Sequence, residues 1–197
     1  GVVTGRTVSL ASADIDIAST GRVGTAGVTQ GLTLANNNDA RQTFVGGTGT
    51  KDGYHVDADE LTRLFGTGIG IFAPRVNTAS LLSVGSAAPP DVIVDSFTMT
   101  GGAQGSNLGA GGSLTIRTLG KMRVIGNVQL TGLSDDNALN LIADNALEVI
   151  LGQGTIRLLG ANNAPGGQLN MASDDIIVAT EAAIADVANA TSTDAIN

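Results

Sequence analysis

Apolar and polar residues alternate in short runs along most of the 197-residue chain. A period of two puts every second side chain on one face of an extended segment, so the pattern predicts many short strands and little helix. TVSLAS, DIDIAS, GLTLAN, DVIVDS, SFTMTG, SLTIRT, KMRVIG, NVQLTG, ALNLIA, ALEVIL, TIRLLG, QLNMAS and DIIVAT all carry it, separated by Gly, Asn and Asp. In the C-terminal half these runs recur in triplets. Leu114, Leu139 and Leu169 are separated by 25 and then 30 positions, and Val124, Val149 and Val178 by 25 and then 29. Three strands per repeat of that length predict an all-β fold, a right-handed parallel β-helix whose coils of about 25–30 residues stack on their neighbours. A single domain over residues 1–197 follows. The inward columns would be Leu114, Leu139, Leu169; Ile116, Leu141, Met171; and Val124, Val149, Val178. Thr115, Asn140 and Asn170 would face outward, and Arg123 would stand next to Glu148. The longer coil carries its extra residues in GANNAPGG, where they can bulge outward. A sandwich or barrel would call for Asn-Gly or Asp-Gly hairpin turns, which are nearly missing.

One segment has a different period. In GYHVDADELTRLFGTGIGIFAP, Asp57 precedes Glu60 by three residues, a capping-box spacing, and Leu61, Leu64 and Phe65 follow at helical intervals before Gly66. A short flanking helix is predicted over 58–65. Two stretches rich in Asn, Gly and Asp are predicted as loop excursions, 36–53 and 101–112.

Composition sharpens this picture. With 28 Gly, 3% aromatic residues and no Trp among 42% hydrophobic residues, the core must be filled by Val, Ile, Leu and Ala, which suits a narrow stacked interior. Eighteen acidic against ten basic residues give a net charge of −8, so the surface repels phosphate backbones and argues against a nucleic-acid partner. Without cysteine, disulfides and thiolate metal sites are excluded. Gly1 stands where an initiating Met is absent, which leads to the expectation that the chain is a fragment of a longer protein.

At GGSLTIRTLGKMRVIG and GGQLNMASDDIIVAT the chain resembles the shaft repeats of large bacterial exoproteins of the filamentous haemagglutinin type, with their Gly-x-Leu-x-Ile, turn, Ile-x-Val pattern. GYHVDADELTRLFGTGIGI is similar to a Gly-aromatic segment with Glu-Leu-x-Arg found in several such proteins. The resemblance implies two-partner secretion to the extracellular, Gram-negative cell surface and adhesion through a non-catalytic shaft. Partners would be a receptor or glycan on a host or neighbouring cell and, through a region outside this chain, the outer-membrane transporter; self-association into filaments is also compatible with such a shape. The Asn-Pro motifs that mark the secretion domain are absent, since the four prolines follow Ala73, Ala88, Pro89 and Ala164.

A polysaccharide-active enzyme is one rival to this reading. Asp135 with Asp136, Asp174 with Asp175, and Asp57 with Asp59 are the acid pairs open to a polysaccharide hydrolase, but Asp at such positions ordinarily caps turns. Arg117, Lys121 and Arg123 form the sole basic cluster of the kind a lyase would use. His55 is the single histidine, which excludes multi-histidine metal sites. The Gly-Gly-x-Gly-x-Asp repeats of calcium rolls are missing. No catalytic residue, metal or cofactor is expected. Surface contact is assigned to Asn36, Asn37, Asn38, Asp39, Gln104 and Asn107 on the two loops, with a purely structural spacer as the alternative and a polysaccharide-degrading enzyme third.

Overall fold

The computed structural model describes residues 1–74, 91–102, 105–149 and 154–178, together with the backbone of Ile184–Ala185 and Asn189–Asp194. The N-terminal part forms β1 (Val2–Val3), β2 (Thr7–Ser12), β3 (Arg22–Gly24), β4 (Gly31–Asn36), β5 (Thr43–Val45) and β6 (Tyr54–Val56), then helix α1 (Ala58–Leu61) and the long strand β7 (Leu64–Ala73). There follow β8 (Val92–Val94), β9 (Phe97–Thr100), β10 (Leu108–Thr118), β11 (Lys121–Val124) and β12 (Asn127–Thr131). The last described part holds β13 (Ala138–Ala143), β14 (Ala146–Val149), β15 (Thr155–Leu158), β16 (Gln168–Ser173), β17 (Ile176–Val178), β18 (Ile184–Ala185) and β19 (Asn189–Asp194).

The protein is mostly β, and its named strands pair in parallel in three sheets. The largest runs β1-β3-β7-β10-β13-β16-β19, with β4 also beside β7 and β2 beside β4; the second runs β17-β14-β11-β8-β5-β6; the third runs β18-β15-β12-β9. From β7 onward the chain visits the three sheets in the same order on each circuit. Parallel neighbours need a long return path, and here that path consists of the strands of the other two sheets.

Register matches the sequence pattern. Leu114 pairs with Leu139 and Leu139 with Leu169, Ile116 with Leu141 and Leu141 with Met171, and Val124 with Val149. Apart from Met171, which is 6% exposed, these side chains are fully buried. Val178 keeps its register beside Val149 but is 37% exposed, so the third column opens at that end. Outward, Asn140 Nδ2 donates to Thr115 Oγ1 at 3.0 Å and Asn170 Nδ2 to Asn140 Oδ1 at 2.8 Å. The bulge at 160–167 turns through positive φ at Asn162 and Asn163 and leaves Ala161–Pro165 exposed while the strands on either side stay in register.

Four expectations are corrected. The helix ends at Leu61 rather than at 65, because Leu64 and Phe65 pair with Val23 and Gly24 of β3 and begin a strand instead. Gly24 has φ 84°, and a Cβ there would collide with the Phe65 carbonyl, so this approach requires glycine. DIDIAS is not a strand; the backbone of Ile17 is held by side chains from the helical segment. The stretch 36–53 is not one loop, since Thr43–Val45 enters the second sheet, and the last residues of 101–112 belong to β10, which begins at Leu108. The N-terminal third also breaks the visiting order: β6 pairs with β5 in the same sheet, and α1 follows it directly.

Candidate functional site

A polar hollow of about 380 Å³ lies beside α1, lined by Asp14, Asp16, Lys51, His55, Asp57 and Glu60. Its floor is organised by the helix cap. Glu60 N donates to Asp57 Oδ1 at 2.7 Å and Asp57 N to Glu60 Oε2 at 2.9 Å, which satisfies two of the donors that a helix start leaves without partners. Glu60 Oε1 also accepts from Ile17 N at 2.6 Å, and Arg63 Nη1 donates to Ile17 O at 2.6 Å. One buried carboxylate therefore caps the helix and holds the 13–21 segment at once. Burial pushes Glu60 above its ordinary pKa; the N–H groups of Ile17 and Asp57 oppose the rise, and the charges of Asp57 and Asp16 add to it. His55 Nε2 stands 2.9 Å from the Gly46 carbonyl, and because a carbonyl only accepts, that nitrogen carries the proton. Phe44 meets the same ring edge-on at 6.1 Å.

Glu60, Asp57 and His55 are engaged in holding the fold. Both oxygens of Glu60 are occupied, Asp57 Oδ1 faces the helix, and among the described residues no three His, Asp or Glu side chains converge as metal ligands. No protein-family model, curated protein or solved structure matches the chain.

The residues assigned to surface contact divide sharply. Asn36 is buried: its Nδ2 donates to Thr43 Oγ1 at 3.0 Å and to Arg41 O at 3.3 Å, while Oδ1 accepts from Asn38 N at 2.8 Å. Asn107 is buried too, its Nδ2 donating to the carbonyls of Thr62 and Leu64 at 2.9 Å each and its Oδ1 accepting from Thr100 N and Oγ1. Both tie a turn to a neighbouring strand and are withdrawn from any partner. Asn38 is half-buried and accepts from Ala40 N. Asn37 and Asp39 are exposed, and Gln104 lies outside the described residues. The sequence reading did not single out Asn137, which is fully buried and whose Nδ2 bridges the carbonyls of Gly109 and Gly112; the signal for all three is an Asn at the junction of a turn and a strand.

The candidate acid pairs and basic cluster take ordinary places. Asp135, Asp136, Asp174 and Asp175 are exposed turn residues. Lys121 Nζ and Arg123 Nη2 each lie 2.7 Å from the Glu148 carboxylate, and Arg123 and Glu148 are direct ladder neighbours. Burial alone would raise Glu148, but the hydrogen bonds and charges of Lys121 and Arg123 outweigh it and hold the carboxyl below its ordinary value. Arg117 faces Asp144 at 3.8 Å. Each member of the basic cluster thus faces a carboxylate of the chain, Lys121 and Arg123 sharing Glu148.

Proposed function

We propose that the three parallel sheets close into a right-handed parallel β-helix, and that this chain is the non-catalytic shaft of a secreted, surface-exposed bacterial adhesin of the filamentous haemagglutinin type. The observation that carries the reading is the register kept from β10 through β13 to β16, with apolar side chains inward and short polar side chains outward; the pairing of β7 with β10 shifts register once, between Leu108 and Ser113. Contacts then fall to outward surfaces of a rigid scaffold, among them the turn of Asn37 and Asp39. The burial of Asn36 and Asn107 favours a second reading, in which the turns serve only the fold and the chain is a spacer. Measuring adherence of the intact purified chain to bacterial and animal cells separates the two. Saturable adherence supports the adhesin; a chain that binds no cell type is a spacer.

A further inference from the structure

On the outward face of the largest sheet, β4, β7, β10, β13 and β16 present Thr33, Gly70, Thr115, Asn140 and Asn170 in one ladder column. Side chains in that column are uncharged, and from Thr115 to Asn170 they are linked by amide hydrogen bonds. In the next column Phe72 stands between Ala35 and Arg117. Its ring leans back over Gly70: a Cβ on that glycine would lie 2.8 Å from Cε2 and 3.1 Å from Cζ of the ring. The ring therefore occupies the space that a side chain would otherwise fill, held low over the sheet rather than standing away from it. A shallow hollow of about 370 Å³ adjoins it, lined by Phe72 with Asn36, Pro74, Arg117 and Leu119, the last 50% exposed.

Charge and size narrow what can dock here. In a chain of net charge −8, none of the outward ladder positions of these five strands carries a carboxylate, and their one charged residue, Arg117, is met by Asp144. Nucleic acid requires an array of cations that this face lacks. Three outward positions on each of five strands, each about 6.6 Å by about 4.8 Å, cover roughly 480 Å², short of the ~800 Å² per partner of a standard protein interface. Hydroxyl and amide groups, which both donate and accept, beside one low-lying aromatic ring complement a polymer of uncharged sugar rings: the ring covers the apolar C–H face of a pyranose and the column meets its hydroxyls.

We propose that this face binds an uncharged polysaccharide, with Phe72 as the stacking platform and Thr115, Asn140 and Asn170 as the hydrogen-bonding track. The proposal rests on the adhesin reading and names the ligand class of its surface. Affinity electrophoresis of the intact chain through gels containing hydroxyethyl cellulose, glucomannan or dextran, with polygalacturonate as the anionic comparison, tests it. At least one neutral polymer should retard the chain. Phe72→Ala should weaken that retardation about tenfold, and Gly70→Ala, which keeps the ring but displaces it, should weaken it as well while the circular dichroism and melting curve stay close to the parent's. Retardation unchanged in both variants overturns the proposal, as does retardation by polygalacturonate alone, abolished by salt and by Arg117→Ala. A chain that adheres to cells but to none of the three neutral polymers overturns this inference and leaves the adhesin standing; a chain that adheres to nothing overturns both.

Discussion

Tyr54 is fully buried; Ser12 Oγ is the polar group beside its hydroxyl, and the two do not meet in a well-formed hydrogen bond. A buried hydroxyl whose one polar neighbour is poorly aligned costs stability, so Tyr54→Phe should raise the unfolding free energy by up to about 1 kcal/mol, read from denaturant melts at neutral pH. Burial, chiefly, pushes the phenol from 10.0 up to about 12; the Ser12 hydroxyl opposes the rise, and the charges of Glu60 and Asp14 add to it. The unfolded chain therefore releases this proton first as pH rises, and stability should fall between about pH 10 and 12. Tyr54→Phe should remove that part of the decline, and an identical alkaline slope in both proteins would show that Tyr54 is not so buried. The asparagines teach the opposite lesson about reading residues from sequence. Asn36, Asn107 and Asn37 sit in equally polar stretches, but only the fold reveals that Asn36 is tied to the Thr43 hydroxyl and the Arg41 carbonyl and Asn107 to the carbonyls of Thr62 and Leu64, while Asn37 meets solvent.

At the scale of elements, α1 shows which local signals survive tertiary competition. The cap at Asp57 and Glu60 was legible because its chemistry is confined to four residues. The helix end was not, because Leu64 and Phe65 fit helical spacing as well as strand spacing and the pairing with Val23 and Gly24 decides between them. The same holds for DIDIAS, whose alternation is that of a strand but whose Ile17 backbone is held by Glu60 and Arg63 from more than 40 positions away. Asp57→Ala should cost about 0.5–2 kcal/mol, as expected for a lost N-cap, and should loosen the 13–21 segment with it, since Glu60 positions both. Hydrogen exchange at Ile17 provides the check: faster exchange together with a lower melting temperature is the expected result, and protection equal to the parent's would mean that the cap and the segment are independent.

For the whole molecule, the C-terminal half was legible almost residue by residue, because each stacked position repeats its apolar or polar character. Glu148 and Val149 are adjacent in sequence and opposite in environment, so they report on inside and outside together. Val149→Asp would bury a carboxylate without a partner and should lower the melting temperature far more than Glu148→Ala, which removes a partly solvated ion-pair partner worth about 1 kcal/mol. Similar melts for the two variants would reverse the assignment. What the pattern could not convey was the N-terminal third, where β6 returns to β5 and the order of sheets is interrupted.

The central claim, that the circuits stack as one ladder, is most directly tested by distances along a single outward column. Ser9, Thr33, Gly70, Thr115, Asn140 and Asn170 are successive neighbours in the largest sheet. Nitroxide labels on Ser9 and Thr33 should therefore be about 5 Å apart at the backbone, those on Ser9 and Thr115 about 14 Å, and those on Ser9 and Asn170 about 24 Å, one increment of ~4.8 Å for each ladder step. Pulsed electron–electron resonance for the longer pairs, with line broadening for the shortest, reads these values. Separations that grow in this order support the stacked circuits; a Ser9–Asn170 distance no longer than Ser9–Thr115 would contradict them.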